Sequence, residues 1–139
     1  MDRMALPLQK LREIVFHLLY SSDFESQSED VFPFLMQHHQ VTKKSLYQAQ
    51  EVVAEIKKQQ AAIDSLITNH SKEYEFDRIP RVEKNLLRLG IYEMLYSKEV
   101  PPKVAISEAM RLARKFATAE SSHFINALLD TLYKETNAV

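Results

Sequence analysis

The chain of 139 residues contains a single glycine, Gly90. Loops that cradle phosphate, and sharp turns that present a nucleophile, need several glycines at fixed spacing. Only glycine lets the backbone approach a ligand closely or take positive φ cheaply. The patterns G-x-x-x-x-G-K-[ST], G-x-G-x-x-G and G-x-S-x-G are therefore all absent. This excludes P-loop NTPases, dinucleotide-binding Rossmann enzymes and typical serine hydrolases. One glycine also argues against a turn-rich all-β fold. Apolar residues make up 45% of the chain and charged residues 27%, a globular rather than a disordered balance. The length suits one domain, residues 1–139, with a core of its own.

There is no cysteine, so no disulfide framework, thiolate zinc site or cysteine nucleophile is available. That fits a reducing compartment. The N-terminus MDRMALP lacks the apolar stretch of a signal peptide. The longest apolar run, Val31 to Met36, is six residues and contains Pro33, too short for a transmembrane helix. A cytoplasmic protein that does not engage membrane is expected.

Periodicity indicates helices throughout. Pro7 suits a first helical turn, and Leu11, Val15, Leu18 and Leu19 recur at helical spacing, with Lys10, Glu13 and His17 away from that stripe. Ser21 to Ser28 reads as a loop. Asp23, Glu25, Glu29 and Asp30 form an acidic patch on a loop here. A short helix is expected from about Glu29 to His39. Thr42 is a plausible N-cap for a long helix with Ala49, Val53, Ile56, Ile63 and Ile67 inward and Gln60 interrupting the stripe. As one element it would run roughly 40 Å. His70 to Arg78 reads as a polar connector.

Pro80 then opens a helix that is apolar over more than one face, through Val82, Leu86, Leu87, Leu89, Ile91, Met94 and Leu95. Such a helix is usually central and buried. Gly90 in its middle costs about 1 kcal/mol relative to alanine, so close approach of a neighbouring helix is expected there. Pro101 and Pro102 start another helix with Ala105, Ala109, Leu112, Ala113 and Phe116 inward. The last helix spans about Glu120 to Glu135, with Phe124, Leu128, Leu129 and Leu132 inward. No segment alternates with period two. The expectation is an all-α domain of six or seven helices with short connections.

Catalytic chemistry is sparse. None of the five histidines (His17, His38, His39, His70, His123) has H-E-x-x-H spacing, and no pair of carboxylates stands out as acid and base. No metal, cofactor or enzymatic activity is expected. Charge is more informative. Nine of the 18 basic residues but only four of the 19 acidic ones fall between Arg78 and Lys115. Lys103, Ser107, Arg111 and Arg114 line one side of a helix, a pattern suited to phosphate oxygens and equally compatible with a solvated surface. Phe124 could stack on an unpaired base or pack in the core.

Several linked blocks carry a resemblance. VEKNLLRLGIYEM (82–94), VPPKVAISEA (100–109), RKFA (114–117) and FINALLD (124–130) resemble blocks of the NusB family of transcription antitermination factors. They occur in the family's order and spacing. REIVFHLLY (12–20) resembles its first helix. The likeness covers residues 10–20 and about 60–132, with 21–59 matching in length and helical pattern. It implies two small helical bundles sharing a core, and function by binding. The implied partners are boxA-containing single-stranded RNA of nascent ribosomal RNA transcripts, NusE (a small-subunit ribosomal protein) and the RNA polymerase antitermination complex. The chain could act as monomer or homodimer. By position, the resemblance implies RNA contacts at Lys10, Arg12, Lys103, Glu120, His123 and Phe124, and NusE contacts at Tyr20 and Glu83.

Some positions depart from the family pattern. Leu8 and Gln9 stand where basic residues are common, which should lower RNA affinity and flatten its salt dependence. Ser107 replaces an asparagine, and Ala117 and Ala127 replace glycines. Certain ribosomal RNA methyltransferases also carry a NusB-like domain. Only seven residues follow Leu132, and no glycine-rich cofactor loop exists, so a binding factor rather than an enzyme fragment is expected.

Overall fold

The computed structural model describes residues 6–24 and 31–136, which form seven α-helices and one 3-10 turn. They are α1 (Leu8–Ser22), α2 (Phe32–His39), α3 (Lys43–Lys58), α4 (Gln60–His70), the 3-10 turn Phe76–Arg78, α5 (Arg81–Leu95), α6 (Pro102–Phe116) and α7 (Ala119–Thr136). All five prolines stand at helix starts. Pro7, Pro80 and Pro101 precede α1, α5 and α6, while Pro33 and Pro102 lie in first turns, where a missing N–H costs nothing. Helix ends manage without glycine. Gln40 takes the left-handed conformation after α2, φ 55°, and the Val41 N–H donates to the Met36 carbonyl at 3.1 Å, closing the last turn.

Two expected boundaries change. The predicted long helix is two helices, broken at Gln59 (φ −100°, ψ 5°). There the Gln59 N–H donates three residues back, to Ile56 at 3.0 Å, instead of four. The break falls where Gln60 interrupts the apolar stripe, so Ile56 ends one buried run while Ile63 and Ile67 form the next. Ser21 and Ser22 belong to α1 rather than to a loop, with the Ser22 hydroxyl donating to the Leu19 carbonyl. The predicted start of the second helix at Glu29, and Glu25, Glu29 and Asp30 of the acidic patch, lie outside the described residues.

The described residues form two compact units, divided between Glu55 and Ile56. In the first, α1 buries Ile14, Val15, Phe16, Leu18 and Leu19 and packs against α2. Phe32 of α2 meets Tyr47 of α3 edge-on at 5.3 Å. His17, off the predicted apolar stripe, is in hydrogen-bond contact with His39, Nδ1 to Nε2, at 2.9 Å.

In the second unit α5 packs against α4, α6 and α7. Asn85 to Ile91, Glu93 and Met94 are all buried. A Cβ at Gly90 would lie 3.1 Å from Leu129 Cδ1 of α7 and 3.4 Å from Ala109 Cβ of α6, the close approach that the lone glycine implied. Arg88, from the basic stretch, is not a surface charge. Its side chain is 8% exposed, and it donates through Nε and a terminal nitrogen to the two Asp64 oxygens of α4 at 2.9 and 3.0 Å. Asn85 Oδ1 takes a further bond from Arg88 at 3.2 Å.

Two expectations follow. Asp64→Ala leaves a buried guanidinium without its carboxylate and should cost about 3–5 kcal/mol in urea denaturation; a loss below about 1 kcal/mol would contradict the clamp. In the first unit, burial pushes His39 down to about 4 from 6.5, with His17, His38 and Lys10 adding to the effect and Glu13 opposing it. The folded state holds His39 neutral, so its contribution to stability is full above pH 6.5 and declines as pH falls towards 4. His39→Asn should flatten the loss of thermal midpoint over that window. An unchanged pH profile would show that His39 does not carry it.

Candidate functional site

The first turn of α7 is built by Thr118. Its hydroxyl accepts the Ser121 N–H at 3.0 Å, and its carbonyl accepts the Ser122 N–H at 3.1 Å, an N-cap arrangement. The hydroxyls of Thr118 and Ser121 are also 3.0 Å apart. The Ser121 hydroxyl is hydrogen-bonded in turn to the Glu83 carboxyl of α5. Burial pushes the Glu83 carboxyl above its ordinary value, and the bond from Ser121 partly offsets this.

Around this start of α7 lies an open cleft of about 710 Å³. The connector after α4 contributes Glu73 and Tyr74, α5 contributes Glu83, and α7 contributes Glu120, Ser121, His123, Phe124 and Ala127. A smaller hollow of about 120 Å³ shares Glu73, Phe124 and Ala127 and adds His70, Lys72 and Thr131. His70 there has both ring nitrogens engaged, Nδ1 with the Leu66 carbonyl at 2.8 Å and Nε2 with Glu135 at 2.9 Å. The bond to Glu135 above all raises its pKa.

Four of the eight residues singled out by resemblance thus share one cleft: Glu83, Glu120, His123 and Phe124. Glu120 and His123 are exposed. Phe124 is only 7% exposed, so most of its ring is core, as its helical phase also suggested. Lys103, second residue of α6, is exposed, as are Ser107 and Arg114. Arg111 on the same side is turned onto Glu108, with Nε and a terminal nitrogen 3.1 and 2.9 Å from one carboxylate oxygen. The predicted basic strip is therefore partly neutralised.

In the first unit Lys10 is half-buried, and Arg12, expected to face RNA, is buried at 4% exposure. Tyr20 is half-buried, stacked on Phe16 at 6.1 Å and edge-on to Phe24 at 5.0 Å. Among the described residues, no three His, Asp or Glu side chains are grouped so as to hold a metal ion, and no helix is long and apolar enough to cross a membrane.

Sequence reasoning missed Thr118, Ser121 and Tyr74. A threonine three residues before a serine, ahead of an apolar run, is a readable start signal. Nothing in a polar connector marks Tyr74.

A sequence model described as the NusB family matches residues 9–134. The chain belongs to the NusB family. It is 35% identical over 132 residues to a transcription antitermination protein NusB of Chlamydia pneumoniae, covering 94% of this chain and 82% of that one. It is 31% identical to one of Syntrophomonas wolfei, covering 93% and 97%. The fold superposes on T. maritima NusB with a TM-score of 0.79 at 30% identity, covering 94% of this chain and 92% of that one. It also matches a chain in a crystal structure of the antitermination factors NusB and NusE in complex with dsRNA, with a TM-score of 0.77 at 26% identity over 97% and 99% of the two chains. Membership places the chain among transcription factors rather than enzymes.

Thr118→Ala removes the N-cap oxygen and should cost about 1 kcal/mol in chemical denaturation. Thr118→Ser keeps that oxygen and should recover most of the loss; equal losses in the two variants would contradict the capping role.

Proposed function

We propose that the chain, acting as one NusB-like domain, is a cytoplasmic antitermination factor. It binds boxA-containing single-stranded RNA of nascent ribosomal RNA transcripts together with NusE and joins the antitermination complex on RNA polymerase. The observation that carries this reading is the convergence of Glu83, Glu120, His123 and Phe124 on one cleft. Two of the family's roles, NusE contact and RNA contact, would then meet at one place. The match to NusB in a NusB–NusE–RNA structure along nearly the whole chain supports the same reading. Lys103, Ser107 and Arg114 supply an exposed polar and basic edge on α6 for backbone phosphates.

A second reading has its own observation. Three carboxylates, Glu73, Glu83 and Glu120, line the cleft, and they repel phosphate. On that reading the domain is a helical scaffold that binds NusE and is indifferent to RNA.

Fluorescence anisotropy of labelled boxA RNA against a scrambled control, at two salt concentrations and with and without NusE, separates the two. Selective binding that tightens with NusE is the expected outcome. NusE binding without RNA preference would leave the scaffold. Lys103→Glu should weaken RNA binding while the thermal midpoint stays in place, and an unchanged affinity would remove Lys103 from the RNA surface.

A further inference from the structure

Phe124 does not meet the cleft alone. Tyr74 stands edge-on to it, ring centres 5.1 Å apart and planes at 83°. Phe124 is 7% exposed and Tyr74 is 42% exposed, so Tyr74 is the more accessible of the two aromatic residues lining the cleft. The connector that carries Tyr74 is tied to α4. The Ser71 N–H donates to the Ile67 carbonyl at 2.8 Å, and the Ser71 hydroxyl donates to the Tyr74 carbonyl. Phe124 thus supports the ring, and the Ser71 bond restrains the backbone that carries it.

The surrounding charge sets what such a ring could receive. Glu73, Glu83 and Glu120 line the same cleft, so phosphate is repelled from it. Carboxylates accept hydrogen bonds from the N–H groups on base edges, and every base offers a π-face to an aromatic ring. Lys72, two residues before Tyr74, does not line this cleft but the adjoining hollow, which it shares with Glu73. The arrangement suits a nucleotide with its base turned in and its phosphate left outside.

We propose that Tyr74 is the stacking platform for an unpaired base of bound RNA, with Phe124 as its edge-on support. This deepens the RNA-binding reading above and rests on it. The aromatic surface exposed at the cleft is then supplied by the connector before α5 as well as by α7.

The chain has no tryptophan, which gives a direct test. Tyr74→Trp introduces a single indole at the platform. Its emission should be quenched as boxA RNA is titrated in, with affinity close to that of the unaltered chain. Tyr74→Ala should weaken RNA binding by on the order of tenfold while NusE affinity is retained. An indole whose emission is unchanged at saturating RNA overturns the proposal, and so does an alanine variant that binds RNA as tightly as the unaltered chain. Loss of NusE affinity with RNA affinity intact also overturns it and gives the ring to the protein partner. The two levels fail differently. If the unaltered chain binds no RNA, the functional reading falls and this role falls with it; if only the Tyr74 variants behave normally, the functional reading stands without it.

Discussion

The contact on which the second unit depends is the approach of α6 and α7 to α5 at Gly90, with Leu129 and Ala109 against the place where a side chain would be. Glycine inside a helix is unfavourable by about 1 kcal/mol. Burying a leucine side chain returns about 1.5–3 kcal/mol, and Leu86, Leu87, Leu112 and Leu129 are all buried in this unit. Packing therefore outweighs propensity. The same close approach lays the beginning of α7 beside the beginning of α5, where Ser121 reaches Glu83. The cleft follows from helix packing, with two walls set by the approach of α5 and α7 and a third supplied by the connector that carries Glu73 and Tyr74.

Much of this was legible beforehand because it is local. Proline at helix starts, the apolar circumference of α5 and the stripes of α6 and α7 each follow from neighbours in sequence. The single glycine was informative in two ways. It removed whole enzyme classes, and it pointed to the tightest interhelix contact. What could not be read depends on partners far away in the chain. Arg88 counted as one more positive charge in a basic stretch until Asp64, 24 residues earlier, was found across from it. Gln60 was visible as a flaw in a stripe. Glutamine is a good helix former, however, so nothing local declared that the helix would break at Gln59.

The site was legible in part for the same reason. Glu120, His123 and Phe124 share the start of one helix, and a block resemblance carries them together. Glu83 joins them only through the α5–α7 packing. The basic strip on α6 was correct in phase but not in charge, because helical spacing also puts Glu108 three residues from Arg111. Arg12 shows the converse: its burial was not legible in its segment. An arginine in a segment where the resemblance implied RNA contact is buried here.

The start of α7 has one further consequence. A helix N-terminus, with its free N–H groups and its partial positive charge, is ordinarily a ready seat for an anion. Here the seat is already taken. Thr118 satisfies the Ser121 N–H, Glu120 lies in the first turn, and Glu83 leans in from α5. The protein's own acids occupy the helix dipole, so on the RNA-binding reading proposed above a polynucleotide at this cleft would displace few of its condensed counterions there. On that reading, sensitivity to ionic strength would be carried by lysines and arginines outside the cleft, such as the exposed Lys103 and Arg114, and base recognition within it would depend little on salt.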